Sequence, residues 1–153
     1  MNLDLSKAFD GAFDTFKVFD QLNISLASET LDNTPKSIWQ ILNHLVIWQT
    51  YQIKLLKGEN TNLINEFDSW SCDKQIAHQN ILNEVIALFN NQIQEIKSEL
   101  TQKVNEIESI SNRIRLFQEL SSHLSFHLGE IILIRRQLKN YPLPHEMISF
   151  LVS

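Results

Sequence analysis

Three glycines and three prolines are all that punctuate the 153 residues of this chain, where an average protein carries roughly 7% and 5% of them. A sheet protein of this length calls for a turn about every 8 to 12 residues, and most such turns draw on these two residue types. Their scarcity therefore selects a few long helices, and the expected class is all-α. The length suits one continuous core rather than two, so residues 1–153 are expected to form a single domain. With 43% hydrophobic and 20% charged residues, the chain has the apolar content that a disordered protein lacks.

A formal net charge of -5 leaves no broad basic surface to neutralise phosphates, which argues against nucleic acid as a partner. The most apolar stretch, 128–134, is interrupted by Glu130, and no run approaches the ~18 apolar residues of a membrane span. The opening MNLDLSKAFD has two acids and no apolar centre, unlike a secretory signal. The single cysteine, Cys72, cannot form an internal disulfide and suits a reducing compartment. A cytoplasmic protein is expected.

Apolar spacing places four main helices. Leu5, Phe9, Phe13, Phe16 and Phe19 form one stripe over 4–22, the signature of an amphipathic helix. Residues 23–36 lose the pattern and read as a loop ending at Pro35. Ser37 and Gln40 have the spacing of a capping box, opening a second helix whose buried face is Ile38, Ile41, Leu42, Leu45, Trp48 and Leu55 and whose left-handed end is Gly58. A polar connection over 59–72, with Trp70 in its midst, leads to a third helix beginning near Asp73 and running through Leu82, Val85, Phe89, Ile93, Ile96 and Leu100. Residues 101–111 read as a fraying helix end or an extended linker. Ser111 or Asn112 then caps a fourth helix along Leu116, Leu120, His123, His127, Ile131 and Ile134 or Leu138, stopping before Pro142. The tail from 141 is too short for a firmly packed fifth helix.

Three of the five histidines fall on core positions. His44 lies three after Ile41 and four before Trp48, and His123 and His127 replace apolar residues in the seam of the fourth helix. Residues at i and i+4 share one helical face, about 5 to 6 Å apart at Cβ, near enough to ligate one ion; His44 supplies a third ligand if the second and fourth helices are neighbours. The plainer alternative is three hydrogen-bonded core histidines. Three inward imidazoles without partners would each cost roughly 1 to 3 kcal/mol, and one shared cation would satisfy them all.

The stretches SIWQILNHLVIWQTYQIKLLKGE and SSHLSFHLGEIILIRRQLKNYP resemble the two signature segments of the DinB-like, or YfiT-like, metalloenzyme superfamily. The match runs through Asn43, His44 and Leu45, then through His123, His127, Gly129, Glu130 and Ile131, and continues over Arg135, Arg136, Gln137 and Leu138. The resemblance implies a four-helix bundle with one long crossover connection, possible homodimers, and a divalent transition metal on His44, His123 and His127 with water in the open positions. It implies a small-molecule substrate and an activity like that of thiol transferases using a low-molecular-weight thiol such as bacillithiol, of a mycothiol-dependent isomerase, or of hydrolases. Three imidazoles with open positions are also the general layout of a catalytic rather than a structural site. Nickel, zinc and iron all accept imidazole. The contrasting reading is a non-catalytic bundle that binds a ligand or partner, with a structural metal or none.

Glu130, three after His127 and seven after His123, is placed to bond a ligand imidazole, to act as a base, or to be an ordinary polar residue at the seam's edge. Gly129 inside a helix costs about 1 kcal/mol relative to Ala, and a close helix or subunit contact would be a reason to keep it. Arg135 and Arg136 read as cations at a helix C-terminus. His78 and His145 read as solvated, and Cys72 as a thiol with no sign of activation.

Overall fold

The computed structural model describes Leu5, Lys7 and residues 17–102 and 106–152. Among these the chain is all-helical, with no strand. In chain order the helices are α1 (Ile24–Ser28), α2 (Ile38–Leu56), α3 (Glu66–Ser69), α4 (Gln79–Thr101), α5 (Ile107–Gln137) and α6 (Met147–Val152), the last preceded by a 3-10 turn at Pro144–Glu146.

Helix α2 is the hub, packing against both α4 and α5. Its start is the capping box expected from sequence: Ser37 accepts from the Gln40 amide, and the Gln40 side chain accepts from the Ser37 amide. At its other end Gly58 takes φ +72, and the Gly58 and Glu59 amides donate to the carbonyls of Leu55 and Lys54. These are the paired bonds of a Schellman ending, which needs a left-handed residue at that position. Ile38, Leu42, Leu45, Leu82, Ile96 and Ile131 are wholly excluded from solvent, each contributing about 1.5 to 3 kcal/mol by burial. Gln92 adds a polar tie from α4 to α2, its amide reaching the Val46 carbonyl at 3.2 Å and Thr50 Oγ1 at 2.8 Å.

Several boundaries differ from the sequence expectation. Most of the predicted helix over 4–22 lies outside the described residues, and its end, 17–22, is a turn with positive φ at Lys17 and Gln21. The expected loop over 23–36 contains α1, whose N-cap Asn23 accepts from the Leu26 amide and whose Ala27 is fully buried. One turn is too short to show an apolar period. Helix α4 begins at Gln79 rather than near Asp73, because the Asp73 carbonyl receives the Trp39 indole N–H at 2.8 Å and Ile76 is buried from an irregular segment. Helix α5 starts at Ile107, with Glu106 as N-cap, so Ser111 and Asn112 are exposed positions within it. The buried face of α2 ends on Leu56, Leu55 being only partly covered.

Both ends of α5 are tied down. Arg113 reaches across to the carbonyls of Glu99 and Gln102 at the end of α4. Arg135, 3% exposed, donates to the carbonyls of Val18, Asp20 and Asn140 and to Asn140 Oδ1. This buried guanidinium is a clamp between α5 and the 17–22 turn, a larger role than the helix-terminal cation expected from sequence. Arg136 bonds the Pro142 carbonyl at 3.0 Å.

Candidate metal centre

The packing of α2 on α5 brings His44, His123 and His127 together. Their ring centroids lie 5.0, 4.8 and 4.6 Å apart, and one potential ligand atom from each falls within 4.8 Å of the others. His44 and His127 are buried, while His123 keeps a partly exposed edge. His44 Nε2 and His123 Nε2 are 3.0 Å apart, close to the roughly 3.0 to 3.4 Å expected of neighbouring nitrogens bonded to one ion at 2.0 to 2.1 Å.

Each buried ring is oriented through its other nitrogen. The Ser69 hydroxyl donates to the Glu66 carbonyl at 2.6 Å, so its oxygen accepts the Nδ1–H of His44 at 2.9 Å. Nε2 of His44 is then the lone-pair nitrogen facing the cluster. Glu130 Oε2 lies 2.6 Å from His127 Nδ1 and accepts its N–H, which leaves Nε2 of His127 as the donor atom. Imidazole on one side and carboxylate or hydroxyl oxygen on the other is the arrangement that fixes ligand tautomers around metals. In the absence of an ion, Nε2–H of His123 donates to His44; moving that proton to Nδ1 frees the third lone pair.

The electrostatics favour neutral rings. Burial, then the neighbouring His123 and His127, lower the pKa of His44 from 6.5 to about 3. Burial, then His127, lower that of His123 to about 4. Both are unprotonated near neutral pH, the form in which imidazole binds a metal. The tautomers of His44 and His127 are set by Ser69 and Glu130, and the three histidines are close enough to hold a metal ion.

Aromatic rings wall the cluster. The Trp70 indole stacks on His44 with centroids 3.7 Å apart and planes 10° from parallel, and Trp48 tilts over His123 at 5.4 Å. A cavity of about 550 Å³ opens on His123 and His127 between Trp48, Trp70, Phe126 and Glu130, with Pro35, Lys36 and Glu66 completing its lining. Its size and aromatic walls are those of small-molecule sites.

Ser69 and Trp70 are site residues that periodicity could not single out, since both come from α3 and its C-cap within the polar 59–72 connection. Trp70 alone carried a signal, as a large aromatic in a polar stretch. Gly129 faces solvent, and a Cβ there would meet nothing within 4 Å, so no close helix contact accounts for it. His78, the N-cap of α4, and His145 are exposed. Burial, reinforced by Asp73, pushes the Cys72 thiol pKa up, the opposite of activation. No helix among the described residues is long and apolar enough to cross a membrane. Comparison of the chain with protein-family models, curated proteins and solved structures finds no match.

Proposed function

We propose that this protein is a metal-dependent enzyme of the DinB-like type, a four-helix bundle with a long crossover, acting as a thiol transferase or hydrolase on a small molecule. The observation that carries the reading is the convergence of three histidine nitrogens beside a cavity of about 550 Å³ that His123 and His127 line. A purely structural site is closed by four protein ligands, whereas three ligands beside a cavity leave room for a substrate.

His44, His123 and His127 would hold nickel, zinc or iron, which when bound lowers the pKa of a thiol or water to give a nucleophile near neutral pH. The chain's own contributions are positional. Ser69 and Glu130 hold the His44 and His127 rings in their ligating tautomers. Trp48, Trp70 and Phe126 give the cavity apolar walls. Glu130 lines the cavity as well as bonding His127, so it can also take a proton from a nucleophile there.

The test is metal analysis of protein purified without a histidine tag, expected to give one metal per chain in the parent and loss of it in His123→Ala and His127→Ala. A screen of low-molecular-weight thiols against an electrophilic acceptor, with ester and amide hydrolysis in parallel, then separates transferase from hydrolase. Metal-free parent protein, with stability unchanged after all three histidines are replaced, would overturn the proposal.

A further inference from the structure

Among the described residues Lys36 is the one cationic side chain lining the cavity. It is half-buried, and its Nζ lies 5.1 Å from the centre of the Trp70 ring. Since His44 covers one face of that ring at 3.7 Å, the ammonium has only the other face to occupy. One indole thus separates a metal ligand from a fixed positive charge. Lys36 forms no ion pair with any described residue, although two carboxylates line the same cavity. Glu130 is engaged by His127, and Glu66 is exposed at the rim.

The Lys36 ammonium is a donor whose only close partner among the described residues is the Trp70 ring, and it suits an acceptor group on a ligand. Lys36 and Glu130 also line a smaller cavity of about 120 Å³ with Leu133 and Ile134, so Lys36 borders both spaces. A ligand reaching from the histidines past Trp70 would pass it.

We infer that the cavity takes a small organic anion, whose carboxylate or similarly charged group pairs with Lys36 while its apolar part packs against Trp48, Trp70 and Phe126. The inference deepens the proposed function and rests on its reading of this cavity as the substrate pocket. A charge-assisted bond to an ammonium is about twice as strong as a neutral one, and its partial removal from water here strengthens it further. Lys36 is accordingly a specificity residue, selecting which molecules reach the histidines.

The experiment titrates benzoate and its neutral counterpart benzamide into the full chain as purified, following tryptophan fluorescence and heat, with metal content measured in the same samples. Benzoate is expected to bind about tenfold more tightly than benzamide. Lys36→Met should reduce that preference to within about twofold and leave metal content unchanged, while Lys36→Arg should retain it. Equal binding of the two probes by the parent, no binding of either, or a preference that survives Lys36→Met would overturn the inference. Preference without metal supports it and counts against the metalloenzyme reading alone; metal without preference overturns it and leaves that reading intact.

Discussion

The indole of Trp70 lies flat on the imidazole of His44, with centroids 3.7 Å apart and planes 10° from parallel. Stacking of this kind confines the ring to one plane without using either nitrogen, so the lone pair stays available. Trp70→Leu removes the flat surface but keeps an apolar wall. Metal affinity, read by competition with a chromophoric chelator, is expected to fall about tenfold, the low end of losses from groups that orient ligands. Unchanged affinity would mean that α2 and the Ser69 hydroxyl set the His44 ring without the indole.

Ser69 and Glu130 do for Nδ1 of His44 and His127 what Trp70 does for the ring plane. Ser69→Ala leaves the buried N–H of His44 without an acceptor, at a cost of about 1 to 3 kcal/mol in urea unfolding of the metal-free protein. Glu130→Gln keeps an acceptor but removes the charge, and Glu130→Ala removes both. Metal affinity should fall in the order parent, Gln, Ala, with the Ala variant weaker by about 10- to 100-fold. Equal affinity in all three would restrict Glu130 to the cavity wall.

The histidines also tie stability to pH. Folding lowers the pKa of His44 from 6.5 to about 3 and that of His123 to about 4, so below pH 6.5 the unfolded chain binds more protons than the folded one. Stability that is complete above about pH 6.5 is therefore expected to decline as the pH falls towards 4 and then 3. Urea midpoints of metal-free protein between pH 7 and about 5.5, a window in which ordinary carboxylates stay ionised, should decrease. His123→Gln should lose part of that decrease; a flat parent profile would contradict the lowered values.

Two glycines make opposite predictions. Gly129 is exposed within α5, with open space where a Cβ would go, so Gly129→Ala should stabilise the chain by about 1 kcal/mol through helix propensity. Gly58 holds φ +72 in the Schellman ending of α2, so Gly58→Ala should destabilise it by about 1 to 2 kcal/mol. Thermal unfolding of the two variants checks both signs. A Gly129→Ala protein that unfolds earlier would indicate that this face of α5 is covered in solution.

The parts of the molecule legible in the sequence are those where one period or cap dominates. Ser37, Gln40 and Gly58 mark both ends of α2, and helical phase puts His44, His123 and His127 on facing seams. The illegible parts depend on distant partners. Asp73 looks like an N-cap until Trp39 takes its carbonyl, and Ser69 is an ordinary loop serine until α3 presents it to His44. Arg135 has the position of a helix-terminal cation, and only the 17–22 turn, 115 residues earlier at Asp20, makes it a buried clamp. Glu130 lay between: its spacing from His127 placed the contact within reach, but the hydrogen bond depends on the side-chain rotamer.

The two anchors on α5 have a consequence for how its sequence can vary. Arg113 and Arg135 stand 22 residues apart, about 33 Å of helix, and His123 and His127 lie between them. Each residue added or removed in that interval turns everything beyond it by about 100°. A deletion at Glu119, for example, forces a choice: either Arg135 keeps its carbonyls, both histidines keep their phase and Arg113 swings off the end of α4, or Arg113 holds and both histidines turn away together with Arg135. Substitutions in this stretch can be absorbed locally, but changes of length cannot. The helix behaves as a keyed shaft, and the phase of the histidines is locked from both ends.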